Sequence, residues 1–168
     1  MLHTIGRLYQ LGDRLIAAIP ASLGLLALRF ALAIPFWRSG MTKWEGFLKL
    51  SSGARYLFEQ EFKLHVFGQA IAYPFPLTAA VLAGLGEVIL PVLLVLGLGT
   101  RFAALGIVLM TLVIQLTIPD GLINFHLPWA AMALALMASG GGLLSVDALF
   151  ASRLRQAQAP SGRNEIAP

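Results

Sequence analysis

The stretch PLTAAVLAGLGEVILPVLLVLGL, residues 76–98, is apolar from end to end apart from one carboxylate, Glu87. It exceeds the roughly twenty residues that a helix needs to cross the hydrocarbon core of a bilayer. Three further stretches around it reach comparable length: residues 16–37, 101–118 and 126–146. Gly97-Leu98-Gly99-Thr100 is so tight a connection that the spans on either side of it form an antiparallel hairpin. Pro119-Asp120-Gly121 is turn chemistry, so the next connection is short as well. The fold class is therefore all-α: a four-helix transmembrane bundle in one domain, residues 1–150, followed by a polar tail, residues 151–168.

Composition agrees with this. Of 168 residues, 58% are hydrophobic and 12% charged, against roughly 45–50% apolar in soluble domains, and the mean hydropathy is +0.79. The partner is the lipid bilayer. A net charge of +4 does not indicate nucleic acid, because the basic residues flank apolar spans and form no dense run. With no cysteine, the chain has no disulfide, CxxC motif or thiolate metal site, so a redox role requires a bound cofactor or another subunit. His3, His65 and His126 are too widely separated to make a metal motif.

Residues 38–75, between spans one and two, are too many for an ordinary connection and need structure of their own. Leu57, Phe58, Glu61, Phe62, His65 and Val66 recur at helical spacing, and Ser51 or Ser52 is available as N-cap. The spacing predicts an amphipathic helix over 53–67 that packs across the bundle mouth through Phe58 and Phe62. At the N-terminus, Arg7 and Arg14 precede the apolar run as in a signal peptide. Arg29 and the continuation to Trp37 instead indicate a retained span. Gly140-Gly141-Gly142 loosens the end of span four. Ser145 can cap a short amphipathic helix over 146–154, with Asp147 at its positive dipole end, and residues 156–168 read as disordered.

Two charges stand inside the spans. Arg29 lies about 12 Å from the loop end of span one and Glu87 about 16 Å from that of span two, at 1.5 Å per residue. A charge at membrane depth is a functional candidate with a partner to be found. Matching depth predicts a buried Arg29–Glu87 pair, with Ala80, Gly84, Glu87 and Pro91 forming a stripe of small residues around the carboxylate. Gln115, Thr111 and His126 extend a polar site toward the loop side, and Lys43 and Asn124 stand at its entrance. Arg7, Arg14 and Arg101 with Arg153, Arg155 and Arg163 face Arg38, Lys43, Lys49, Arg55 and Lys63 across the membrane. Long segments translocate with less regard to charge, which places both termini in the cytoplasm.

SGMTK (39–43), LFEQEF (57–62), GEVILPVLLVLGLGTRFAA (86–104) and GGGLLSVD (140–147) occur in that order. Over residues 22–150 the chain resembles the DoxX family. The resemblance implies a four-helix protein of the bacterial inner membrane associated with redox or sulfur metabolism, since relatives include a subunit of a thiosulfate:quinone oxidoreductase and proteins of oxidative-stress complexes. Two functions follow from different classes. One is the membrane subunit of a redox complex that binds a quinone near Arg29 and Glu87. The other is a non-catalytic anchor, partner subunit or small-solute carrier whose polar pair holds the helices together.

Overall fold

The computed structural model describes residues 2–158. Helix α1 (Leu2–Ala17) is strongly amphipathic and is separated from α2 (Ala21–Met41) by Pro20. Proline drives the residue before it out of helical geometry, so the first span begins after Pro20 rather than at residue 16. It also runs on to Met41, past Trp37. Helices α4 (Pro76–Leu96) and α5 (Thr100–Thr117) form the expected hairpin, with Gly97 and Gly99 both left-handed at φ +69° and +57°. The fourth span opens irregularly, with a 3-10 turn (Pro119–Gly121) and a π turn (Leu122–His126) leading into α6 (Leu127–Ser139). Gly140 and Gly142 stop it with φ of +75° and +74°, earlier than residue 146. Helix α7 (Val146–Gln158) reaches past residue 154 and past the domain limit drawn at 150. The rest of the tail lies outside the described residues.

Among the described residues, four segments are long and apolar enough to cross a membrane: α2, α4, α5 and Pro119–Ser139. In the bundle α2 packs on α4 and α6, and α5 on α4 and α6. Leu32, Phe36, Leu94, Ile107 and Leu136 meet between them, with Ala33, Ala103, Ala104 and Ala133. With little water to expel in lipid, small residues that allow close van der Waals contact do much of this work.

Call the side of the bundle with the Gly97–Gly99 turn and the start of α2 the terminal side, and the opposite one the loop side. Helices α2 and α4 are not level. Gly40, in the last turn of α2, lies against the backbone of Glu87 in the middle of α4, and Arg29 lies against Gly97 at the end of α4. The loop-side half of α4 is thereby left for the 42–75 segment to cover.

That segment does so with mixed structure. Strands β1 (Trp44–Gly46) and β2 (Lys49–Leu50) form a hairpin, and α3 (Ser52–Tyr56) continues through a π turn (Leu57–Glu61). Ser51 is the N-cap, accepting from the Ala54 amide at 3.1 Å. The helix stops there instead of running to residue 67. Residues Lys63–Val66 (β3) pair with Gln69–Ala72 (β4) in a second antiparallel hairpin. Within β3, Leu64 and Val66 are half-buried while Lys63 and His65 are exposed, a period of two. Leu50, Ala54 and Phe58 close on Ala80 of α4, with Trp44, Phe62 and Tyr73 around them.

Candidate functional site

Glu87 is buried at the midpoint of α4, and its partner is Lys43, not Arg29. Lys43 Nζ donates to Glu87 Oε2 at 2.5 Å and to Ser39 Oγ at 3.2 Å. The side chains are 12% and 5% exposed. Local structure explains the pairing. The Lys43 amide donates to the Gly40 carbonyl at 3.0 Å, continuing the last turn of α2, and a Cβ on Gly40 would lie 2.9 Å from the Glu87 backbone. Glycine therefore lets the end of α2 close onto α4, and the lysine three residues later reaches the carboxylate. Trp44 seals the next turn, its ring over Gly84 and its Nε1 donating to the Gly84 carbonyl at 3.4 Å.

Arg29 is fully buried on the terminal side, ten residues of α4 away from Glu87 by its contact with Gly97, or about 15 Å at 1.5 Å per residue. Its Nη2 donates to the Leu144 carbonyl at 2.5 Å. Nε and Nη1 have no partner among the described residues. Beside it, Asp147 ties three elements together. Its carboxylate accepts from the Gly99 amide (2.7 Å), the Thr100 amide (2.8 Å) and the Thr100 hydroxyl (2.8 Å), and its own amide donates to the Gly97 carbonyl at 2.9 Å. The acid expected to serve the dipole of its own helix thus caps α5, whose N-cap residue Gly99 has no side chain to do so. Burial pushes the Asp147 carboxyl up, but the hydrogen bonds from Thr100 and Gly99 and the nearby Arg29 charge outweigh it and hold the group below the ordinary carboxylate range. Ser145 caps α7 as expected, accepting from the Ala148 amide at 3.2 Å.

The remaining candidates divide. His126 Nδ1 and Gln115 Oε1 are 2.6 Å apart, and Gln115 Nε2 donates to the Pro119 carbonyl at 3.1 Å. They form one polar group at the loop-side ends of α5 and α6, with His126 buried and Gln115 half-buried. The His126 ring lies against Gly121, where a Cβ would not fit. Trp129 packs at a tilt against it, 5.5 Å between ring centres, and against Phe36 of α2 at 4.9 Å. Thr111 is buried but donates to its own helix, to the Ile107 carbonyl at 2.7 Å. Asn124, expected at the entrance, is exposed. Lys43, expected at the entrance as well, is paired with Glu87 and is partly buried.

Sequence reasoning missed a groove of about 350 Å³ between α2 and α4. Phe30, Ala33, Ile34 and Trp37 form one wall, Pro91, Val92, Val95 and Leu96 the other, with Arg38 as the one charged lining residue. The signal available was the recurrence of Phe30, Ile34 and Trp37 on one face of α2. Facing lipid, such a stripe looks like any other part of a membrane span.

Residues 24–120, more than half of the chain, match the family model DoxX, and the chain belongs to that family. No curated protein and no solved structure matches it.

Proposed function

We propose that this DoxX-family protein is the quinone-binding membrane subunit of a redox system in the bacterial inner membrane. The quinone's tail lies along the α2–α4 groove and its ring toward the Lys43–Glu87 pair. One observation carries the reading: the groove ends one helical turn from Glu87. Pro91 lines it four residues after Glu87, and Trp37 lines it three residues before the Gly40 that packs on Glu87. Its walls are apolar and open sideways to lipid, as a membrane-dissolved tail requires, and Arg38 supplies a cation at the α2 end of the lining.

A bound quinone supplies two-electron, two-proton redox chemistry. The chain's own residues supply binding. An ammonium group has three donors; Glu87 and Ser39 take two of those on Lys43, leaving one for a carbonyl oxygen. The Glu87 carboxylate fixes the Lys43 ammonium at a site removed from water, where their attraction is strong. With no cysteine in the chain, electrons reach the quinone through a bound cofactor or another subunit. His126 and Gln115 are a second polar group on the same side of the bundle, and Arg29 is assigned no part in the chemistry. Both termini are placed in the cytoplasm, with Arg7, Arg14, Arg101, Arg153 and Arg155 near the ends of the elements on that side.

The test is extraction of the protein purified in native lipid. A quinone is expected with the wild type and is expected to be lost from Val92→Trp, which fills the groove while circular dichroism stays helical. A folded wild-type protein that carries none overturns the reading. The second reading, a non-catalytic anchor, partner subunit or small-solute carrier, is favoured by the way Gly40 and the Lys43–Glu87 pair lock α2 to α4. Retention of quinone and of any activity by the double variant Lys43→Met/Glu87→Met would show that the pair serves packing alone, since buried ion pairs replaced together by apolar residues often leave packing intact; a folded wild type without quinone decides for the second reading.

A further inference from the structure

The two loop hairpins are each closed by a two-residue turn: Phe47-Leu48 between Gly46 and Lys49, and Phe67-Gly68 between Val66 and Gln69. Leu48 has φ +54° and Phe67 φ +50°, and they are the non-glycine residues with positive φ among those described. In the second turn both central residues, Phe67 and Gly68, have positive φ, the arrangement for which Asn-Gly is the relaxed choice. A bulky side chain in the left-handed region is an outlier, tolerated where it has a use. Phe47 and Phe67 are also fully exposed, at 96% and 103%, and Leu48 is 60% exposed. The chain thus places large apolar side chains at two turn tips, where Leu48 and Phe67 take a strained backbone and Phe47 and Phe67 stand almost wholly in the open.

We propose that the tips of these hairpins insert into the interfacial layer of the loop-side leaflet, with the β3–β4 hairpin as the principal anchor. Three observations favour lipid over a protein partner. The hairpin is fastened to a membrane span: His65 Nδ1 is bonded to the Leu116 carbonyl at 3.1 Å and the Tyr73 hydroxyl to Thr117 Oγ1 at 2.6 Å, at the last turn of α5. It is continuous with lipid-facing surface, since Leu112, Val113 and Leu116 of α5 are exposed, as are Ile71 and Phe75 beside the hairpin. Its charge suits anionic headgroups: Lys63 is exposed, and residues 63–72 contain no acid. An amphipathic element with an aromatic edge and a cationic flank settles where headgroups meet acyl chains.

The cysteine-free chain permits a direct test in nanodiscs of phosphatidylcholine with phosphatidylglycerol. Phe67→Cys carries an environment-sensitive fluorophore, and Gln69→Cys serves as a second position should the first variant fold poorly. Ser52→Cys, exposed on α3, is the aqueous reference. At either hairpin position the label is expected to emit blue of the reference and to be quenched by lipids carrying a quencher near the headgroup. Emission equal to the reference overturns the proposal. A blue shift without lipid quenching, which reports contact with a protein surface such as a second copy of the chain, overturns it as well.

Discussion

The two buried charges sit at opposite ends of the α2–α4 contact and are satisfied by opposite means. On the loop side, Glu87 meets a flexible cation, and the pair is a direct ion contact at 2.5 Å. On the terminal side, Arg29 gives one hydrogen bond to a carbonyl, and the nearby carboxylate, Asp147, spends itself on amides of another helix. The first site depends on one partner; the second is spread over a turn, a loop and a helix end. Loss of one group should therefore do more harm on the loop side, and loss of Arg29 itself should do little.

The largest effect is expected from Lys43→Met. It leaves Glu87 buried without its cation, a situation that costs about 3–5 kcal/mol, read as unfolding in mixed detergent and SDS micelles. The double variant Lys43→Met/Glu87→Met should recover most of that loss. A single-variant cost no larger than the double variant's would mean that Glu87 finds water or another donor.

Asp147→Ala comes next, at about 2–3 kcal/mol, because three donors lose a charged acceptor. A protease-sensitive α7 should accompany it. Arg29→Met, in contrast, relieves the desolvation of a buried charge with two nitrogens unpartnered among the described residues but removes a cation that supports Asp147, so it should be near neutral. The acid contribution also has a pH signature. The folded carboxyl lies below its ordinary range, so its stabilisation is present above the unfolded-state pKa and is lost as pH falls through the folded one. Asp147→Ala should flatten that acid limb of the stability profile; an unchanged limb would remove Asp147 from the clasp.

Gly40→Ala tests the offset of the helices that separates the two sites. The new methyl would meet α4 backbone at 2.9 Å, an overpacking of up to about 3 kcal/mol, offset by about 1 kcal/mol of helix propensity gained over glycine. A net loss of about 1–2 kcal/mol is expected, with quinone retention falling in parallel if the site reading holds. A stabilised variant would show that α2 and α4 are further apart than Gly40 implies.

How far the sequence reaches is set by the range of the forces involved. Length and apolarity are local, and they placed the second and third spans to within a few residues; the first is shifted by Pro20, and the fourth, expected from residue 126, begins at Pro119 through two irregular turns and stops early at Gly140. Ser51 and Ser145 were legible as caps because capping is local too. The Arg29–Glu87 pair failed because depth was reckoned from helix ends taken as level, whereas the offset comes from a glycine on one helix meeting the backbone of another. The hairpins were hidden because strands of two to four residues carry little periodicity and Phe67-Gly68 is an unusual turn pair. Asp147 was partly within reach: Gly99-Thr100 opens α5 without a capping side chain, and asking where the missing acceptor comes from leads to the nearest acid at the bundle's terminal side.

The smallest effect serves as a control for the largest. Lys49 and Glu45 make another lysine–glutamate contact only a few residues from Lys43, at 3.7 Å, with side chains 72% and 41% exposed. Water screens the attraction, and holding two long side chains in one geometry costs entropy, so exposed pairs of this kind often contribute nothing measurable. The Glu45 carboxyl is nonetheless held low, chiefly by the Ser52 amide, which donates to it at 2.8 Å. Its partner of consequence is therefore the start of α3, and Lys49 is dispensable to it. Lys49→Met should leave unfolding unchanged within error, while the same substitution at Lys43 unfolds the protein several kcal/mol earlier. Equal costs at the two lysines would mean that burial is not what distinguishes the Glu87 pair, and the case for a site built around it would fall with that distinction.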